Sequence, residues 1–505
     1  MPNFILSTYY GNRKSFDFLI PPLGLAMVSA TLKREGHDVT IYDPNLPGNS
    51  LEGLHDLVMR KKPDILGLGL YQNGFTETLA LAREIRKEAP ALKIIGGGPQ
   101  VTTWREDIYM APGADAFDLF FAGETEEHIG FLSSWFEGKS KKEDIPGIIY
   151  RKGDRIFQNR PDLSHDLRHL PFPSWESFDM ERYLPILPVE LSRGCPWQRC
   201  SFCVHKAIAS TRRERGTGRV IQEIGRNLAL GVRHFRVTDS MPTEKILRNL
   251  CSTLIEKGVD ITWSTFGNTR VSTKELALLM KEAGCISVFL GIESGDNGML
   301  KHMKKGVTVR TNREGIAALR EGGLKVAACN IIGFPGETEE TIRKTVDFNL
   351  ETRPDSVSFF PLGILPGSEL AMFPEKFGIS LHENWKKKFM GLRYNLMGGE
   401  VSHLHYFDYS DGKPNTYYLV KAKEIIDNIS PLLFSQEQAP QLADHAFLLS
   451  DLYPEEEMRD IIGDEIQAPY EVKLTRLFQY LLEENDQGCL DVLLGRGWDR
   501  AGTAV

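Results

Sequence analysis

No stretch of the 505 residues is both apolar and long enough to cross a bilayer, which speaks against a helical membrane protein. The opening Met1-Pro2-Asn3-Phe4-Ile5-Leu6 has neither a basic patch nor a long apolar core; it reads as a first strand and not as a signal peptide. Positive charge is not in excess: 60 Lys and Arg stand against 68 Asp and Glu, a net charge of -8, with the signs mixed along the chain. No basic footprint for nucleic acid follows from this. Repeats and low-complexity tracts are missing. A Gly-x-Gly-x-x-Gly after the first strand and a P-loop lysine are missing too, which weakens a nucleotide-binding reading. With 41% hydrophobic and 25% charged residues, the chain has the composition of two or three folded domains.

Cysteine is scarce, but its distribution is uneven. Of seven cysteines, Cys195, Cys200 and Cys203 fall within nine residues, in Arg193-Gly194-Cys195-Pro196-Trp197-Gln198-Arg199-Cys200-Ser201-Phe202-Cys203. Three thiolates hold three irons of a [4Fe-4S] cluster and leave the fourth open to a substrate. Zinc is the rival; a closed structural zinc site needs four ligands, and His205 supplies a fourth only through a tight Cys-x-His step. Cys251, Cys285, Cys329 and Cys489 sit in apolar surroundings and read as buried small residues. An odd count with clustered thiols suits a reducing cytoplasm rather than a disulfide scaffold.

Residues 1 to about 135 alternate strand and helix signals. Apolar runs at Phe4–Ser7, Val39–Asp43, Ile65–Leu70, Lys93–Ile95 and Leu119–Ala122 are separated by helical periodicity. This rhythm predicts a Rossmann-like parallel sheet with ligands beyond its carboxyl ends. Residues 136–185, proline-bearing and of mixed charge, read as a linker. From 186 to 390 six further strand–helix units follow. They fit a partial (β/α)6 barrel of the TIM type better than a doubly wound sheet, although both share the rhythm. The rhythm then stops. Residues 391–505 read as a mainly helical domain, with periodicity near Tyr417–Ile429 and Val472–Glu484.

The cysteine loop resembles that of radical S-adenosylmethionine (SAM) enzymes, with four residues instead of the usual three between the first two cysteines; one extra residue is expected to bulge outward. Further on, Val237-Thr238-Asp239-Ser240, Gly291-Ile292-Glu293-Ser294-Gly295 with Met303-Lys304-Lys305-Gly306, Ile331–Thr338 and Leu365-Pro366-Gly367-Ser368 resemble, in order, segments of the same superfamily. The resemblance implies SAM contacts at Phe202, Asp239, Ser240, Arg270, Glu293, Ser294 and Gly333. Carboxylates suit the SAM amine, and Arg270 or a lysine at the barrel mouth suits its carboxylate. The competing reading of each is a helix cap, a turn or a surface charge.

In the first domain, Pro21–Leu25, Asp43, Gly96–Thr102 and Gly123–Glu126 occur in the order seen in cobalamin-binding domains fused to radical SAM barrels. The implied cobalamin contacts are Pro22, Leu23, Gly24, Asp43, Tyr71, Gln72, Asn73, Thr76, Gly97, Gly98, Pro99, Gly123 and Glu124. The glycines would let backbone approach a bulky ligand; plain turn glycines are the bland alternative. The Asp-x-His-x-x-Gly motif that places a histidine under cobalt is missing, so the Tyr71–Thr76 loop is the candidate for the lower face of the corrin.

The whole chain up to about residue 390 thus resembles a cobalamin-dependent radical SAM enzyme. The resemblance implies carbon methylation: methyl transfer from methylcobalamin to an unactivated carbon of a small molecule or peptide, through a 5′-deoxyadenosyl radical. It also implies an external electron donor of flavodoxin or ferredoxin type. Ring formation, rearrangement or hydroxylation is the first alternative, and a non-catalytic corrinoid sensor the second. Trp385, Arg393, Tyr394, His403, His405, Tyr406 and Tyr409 are expected to close over the barrel mouth.

Overall fold

In the computed structural model, residues 2–11, 20–46, 48–126, 128–161, 166–390 and 405–422 are described. The first sheet begins with β1 (Asn3–Tyr9), β2 (Asp38–Ile41), β3 (Ile65–Leu70), β4 (Lys93–Gly97) and β5 (Leu119–Phe121). All five are parallel, in the order β2-β1-β3-β4-β5. Helices α1 (Leu23–Arg34), α2 (Leu51–Lys61), α3 (Phe75–Glu88) and α4 (Pro99–Trp104) follow the first four strands. The near-continuous apolar run of β3 is explained by burial on both faces. Ser50 opens α2 by accepting the Gly53 N–H, a standard cap.

The segment expected to be a linker begins with structure of its own. After α5 (Phe131–Phe136), β6 (Ile148–Lys152) adds antiparallel to β5 and β7 (Arg155–Gln158) antiparallel to β6, making a seven-stranded sheet. The first sheet therefore runs past residue 135. The remainder, to about residue 185, is a string of turns whose Trp175, Phe178 and Tyr183 are buried in the core of the second sheet together with Ala26 and Leu46 of the first domain. These aromatics cement the two domains.

The second sheet comprises β8 (Ile186–Val189), β11 (His234–Val237), β12 (Thr262–Gly267), β13 (Cys285–Glu293), β14 (Lys325–Ile332) and β15 (Ser356–Pro361). A short ribbon of β9 (Ser192–Arg193) and β10 (Arg213–Glu214) lies between β8 and β11 in sequence. The six strands are all parallel and neighbour one another in chain order. A doubly wound sheet would reverse direction midway; this one does not, and its order is that of a barrel arc. Among the described residues β8 and β15 do not pair with each other, so the arc is open. Helices α6 (His205–Ile208), α7 (Thr217–Leu228), α8 (Glu244–Glu256), α9 (Lys274–Glu282), α10 (Asn297–His302), α11 (Val309–Glu321) and α12 (Glu339–Thr352) fill the connections.

After β15, β16 (Ile379–Leu381) pairs antiparallel with β17 (Phe407–Tyr409). Of the expected helical domain only 405–422 is described; Arg393, Tyr394, His403, Cys489 and the stretch Val472–Glu484 lie outside the described residues. Among the described residues no helix is long and apolar enough to cross a membrane.

Candidate functional site

Two cavities open where the carboxyl ends of the two sheets face each other. The first, about 390 Å3, lies over β1, β3, β4 and β5. Eight glycines line it: Gly24, Gly67, Gly69, Gly96, Gly97, Gly98, Gly123 and Gly194. Gly98 adopts φ 97°, and a Cβ there would sit 3.1 Å from the Leu70 carbonyl oxygen, so only glycine lets the chain turn into α4. A Cβ on Gly97 would be at least 3.9 Å from its neighbours; this residue leaves open floor instead of relieving strain.

Pro22, Leu23, Gly24, Tyr71, Gly97, Gly98, Pro99, Gly123 and Glu124 all line this cavity. Glu124 does so as a member of an ion-pair network, bonded to Arg193 at 2.7 Å and also to Arg213. Asp43, Gln72 and Thr76 do not line it. Asp43 is buried and accepts the Tyr183 hydroxyl at 2.8 Å and the Asn45 side-chain amide at 2.6 Å, which ties the first domain to the connecting segment. Thr76 is exposed and donates to Glu77. Gln72 and Asn73 lie in a short turn beside the cavity edge. Tyr71 meets Tyr10 edge to face at 4.7 Å, and burial raises its phenol pKa.

The second cavity, about 520 Å3, lies at the carboxyl ends of the second sheet and receives Cys195, Cys200 and Cys203 together. The extra residue of the cysteine loop is absorbed at Gln198, which takes a left-handed φ of 49° and donates to the Ala209 carbonyl. The loop is stitched down on both sides. Ser201 N–H donates to Met303 O at 3.0 Å, Trp197 Nε1–H to Lys304 O at 2.8 Å, and Leu370 N–H to Ser201 O at 3.0 Å. Backbone N–H groups of Trp197 and His205 point at the sulfurs of Cys195 and Cys203, at 3.4 and 3.5 Å.

Of the SAM positions inferred from sequence, Phe202, Ser240 and Glu293 line this cavity. Glu293 ends β13 at φ 67°, where the register with β14 shifts. The bulge turns its carboxylate inward, onto Lys305 Nζ at 2.6 Å. Lys305 is half-buried; desolvation opposes its charge, but Glu293 and the neighbouring thiols more than offset this, and its pKa is raised. Burial pushes Cys200 up to about 12 and raises Cys203, with Lys305 opposing both. Cys329 lines the same cavity from β14.

The other SAM positions have different partners. Asp239 is buried and accepts the Leu191 N–H at 2.7 Å and the Ser192 hydroxyl, so it pins the entry to the cysteine loop; burial pushes its pKa up to about 6. Ser294 faces Thr345 and the Asp296 N–H. Gly333 N–H donates to Glu337 at 2.5 Å, and its carbonyl accepts the Tyr409 hydroxyl at 2.5 Å. Arg270 lies at the rim, over the Trp197 ring at 4.3 Å and bonded to Gly306 O at 3.1 Å. Each is consumed by the scaffold that supports the cavity.

Sequence reasoning did not single out Arg193 or His205 for these roles. Arg193 binds Glu124 and Glu126 across the domain boundary, both at 2.7 Å, and Glu190 at 2.9 Å. Burial opposes the Glu126 carboxylate, but Arg193 prevails and lowers its pKa. His205, its pKa lowered by burial, bonds Ser240 Oγ at 2.9 Å; these two residues line both cavities.

Two family models match the chain: the B12 binding domain over residues 11–128 and the radical SAM superfamily over residues 189–348. The chain belongs to the cobalamin-dependent radical SAM family. Its cofactors are a [4Fe-4S] cluster, SAM and cobalamin. A protein of Pyrococcus horikoshii named as an uncharacterized methyltransferase is 27% identical over 73% of this chain and 81% of its own length. Cytidylyl-2-hydroxyethylphosphonate methyltransferase of Streptomyces wedmorensis is 26% identical over 69% of this chain and 77% of its own. The anaerobic magnesium-protoporphyrin IX monomethyl ester cyclase of Synechocystis is 27% identical, over 62% of this chain and 65% of the cyclase. In fold, the radical SAM methyltransferase TsrM of Kitasatospora setae superposes with a TM-score of 0.64 at 19% identity, over 76% of this chain and 79% of its own.

The residues of this cobalamin-dependent radical SAM protein fit those groups. Three thiols face one cavity, with backbone N–H groups toward the sulfurs and a half-buried lysine to balance thiolate charge. The open space at Gly24 and Gly97 suits a broad flat ligand. Among the described residues of the first domain, none of the lining groups is a histidine.

Proposed function

We propose that this protein is a cobalamin-dependent radical SAM methyltransferase acting on an unactivated carbon of a small molecule or peptide. The observation that carries this reading is the pair His205 and Ser240, which line both cavities and bring the two cofactor sites into contact. When bound, the reduced cluster supplies the electron that cleaves SAM, and cobalamin supplies the methyl group. The protein's part is to bind, orient and shield. Cys195, Cys200 and Cys203 would hold three irons of the cluster. Glu293 would offer its carboxylate to the SAM amine, and Lys305 orients that carboxylate by its ion pair at 2.6 Å. Phe202 packs on Phe334 and excludes water from the same wall. Gly97, Gly98, Gly123 and Tyr71 would hold the corrin. The Arg193 network ties the loop after β5 to the entry of the cysteine loop, which orients the two cavities toward each other.

Ring formation is the second reading, favoured by the cyclase relatives. Anaerobic reconstitution with iron, sulfide and cobalamin, followed by SAM and a flavodoxin or ferredoxin reductant, separates the two. The methyltransferase forms S-adenosylhomocysteine only when cobalamin is present, alongside 5′-deoxyadenosine. 5′-Deoxyadenosine alone sinks the methyltransferase and leaves the cyclase.

A further inference from the structure

The β16–β17 hairpin is only three pairs long, too short to stand on its own. Yet it fastens the tail to the rim of the cluster cavity. Tyr409 bonds Gly333 just after β14, and Tyr406 bonds Leu362 O at 3.1 Å just after β15. At the end where the chain leaves β16 and returns to β17, His382 meets His405 and Asp408, which are three residues apart. Asp408 Oδ2 lies 2.9 Å from His382 Nε2, and Asp408 Oδ1 lies 2.7 Å from His405 Nε2. The two imidazoles meet edge to face at 4.5 Å, and one ligand atom from each of the three residues lies within 4.8 Å of the others.

The register explains the meeting. Ser380 pairs with Asp408, so His382, two residues on, projects from the same face as Asp408. His382 N–H donates to Tyr406 O at 3.0 Å, which brings His405 alongside. The side chains are 24%, 40% and 38% exposed for His382, His405 and Asp408, so solvent reaches the open side.

We propose that His382, His405 and Asp408 form a binding site for a divalent first-row metal ion, with Zn2+ as its probe, that staples the tail hairpin to itself. Two imidazoles and one carboxylate are a donor set suited to zinc. Water completes the coordination, as in sites with three protein ligands. The site lies apart from the cluster cavity, none of whose lining residues it shares.

The test must keep the cluster thiols from taking the metal. Untagged full-length chain carrying Cys195→Ala, Cys200→Ala and Cys203→Ala is equilibrated with Zn2+, desalted and analysed by plasma mass spectrometry. About one zinc per chain is expected, with a rise in Tm on zinc addition. Adding His382→Ala and His405→Ala should remove both. Asp408→Asn keeps the shape of the contact, guards against a misfolded double variant, and should weaken zinc binding at least about 10-fold. Co2+ in place of Zn2+ should give visible d–d bands without thiolate charge transfer. No zinc in the parent, or zinc kept undiminished in the histidine variants, overturns the site and leaves a carboxylate bridging two imidazoles by hydrogen bonds alone.

Discussion

The two cavities are built from opposite materials. The first is lined mainly by apolar side chains and glycines, with open space at Gly24 and Gly97. The second is defined by sulfur, a carboxylate and an ammonium group brought inside the protein. A shape-built site tolerates changes of charge nearby and fails when volume is added. A charge-built site tolerates volume and fails when one partner is removed. The contrast follows the groups to be held, since a macrocycle needs area and a cluster and an amino acid need ligands.

The sharpest break in this comparison is Cys200→Ala. Iron content should collapse and 5′-deoxyadenosine formation should fall more than about 100-fold, because nothing else supplies the electron, while cobalamin absorbance of the purified protein persists. Lys305→Met comes next. It leaves Glu293 buried without its partner, and urea unfolding should show a loss of about 3–5 kcal/mol. Gly97→Leu reverses the pattern: it fills the open floor at about 1–3 kcal/mol, so cobalamin should bind 10- to 100-fold more weakly, with iron content unchanged. Loss of both cofactors in this variant would show that the cavities are one folding unit.

The two smallest effects concern pH and have opposite signs. The Glu126 pKa is lowered from 4.5, so its pairing with Arg193 stabilises the protein above that value and is lost as pH falls through the lower folded value. Glu126→Gln should cost about 1.5–3 kcal/mol at pH 7 and flatten the decline of stability below pH 4.5 in acid titrations followed by circular dichroism. Glu337, buried against the Gly333 N–H, has its pKa raised from 4.5 to about 8, chiefly by burial. Its contribution is therefore present below 4.5 and is lost as pH rises through the folded value. Glu337→Gln mimics the protonated acid; its advantage over the wild type should widen steadily as pH rises from 5 to 8, measured by denaturant midpoints. A slope of the same sign in both variants would contradict this assignment.

Much of this was legible because it is local or periodic. The cysteine spacing, the glycine clusters at strand ends and the strand–helix order all survive in one dimension. What was not legible depends on direction. Met303-Lys304-Lys305-Gly306 is readable as a segment, but which lysine turns inward is not. Lys304 reaches out to Glu369 at 2.7 Å and Lys305 reaches in to Glu293. Asp239 and Asp43 are carboxylates at strand ends, the right type at the right place. Each is bonded instead to a hydroxyl and a backbone N–H, a choice set by loops of no periodicity. Arg193 is two residues from a cysteine, yet its partners lie 67 and 69 residues away. Residues 136–185 carry short strand signals of mixed charge that read as linker, and nothing in one dimension says that β6 and β7 extend the first sheet.

Gln198 holds a left-handed turn between the first two cysteines. A non-glycine residue at that φ costs about 1–2 kcal/mol, so the loop carries a small permanent debt for its added length. What that length secures is arrangement: the sulfurs still reach one cavity although the count between Cys195 and Cys200 differs from the usual one. Residue number is free to drift in such a loop wherever one backbone unit folds back upon itself, so long as the thiols still face one cavity.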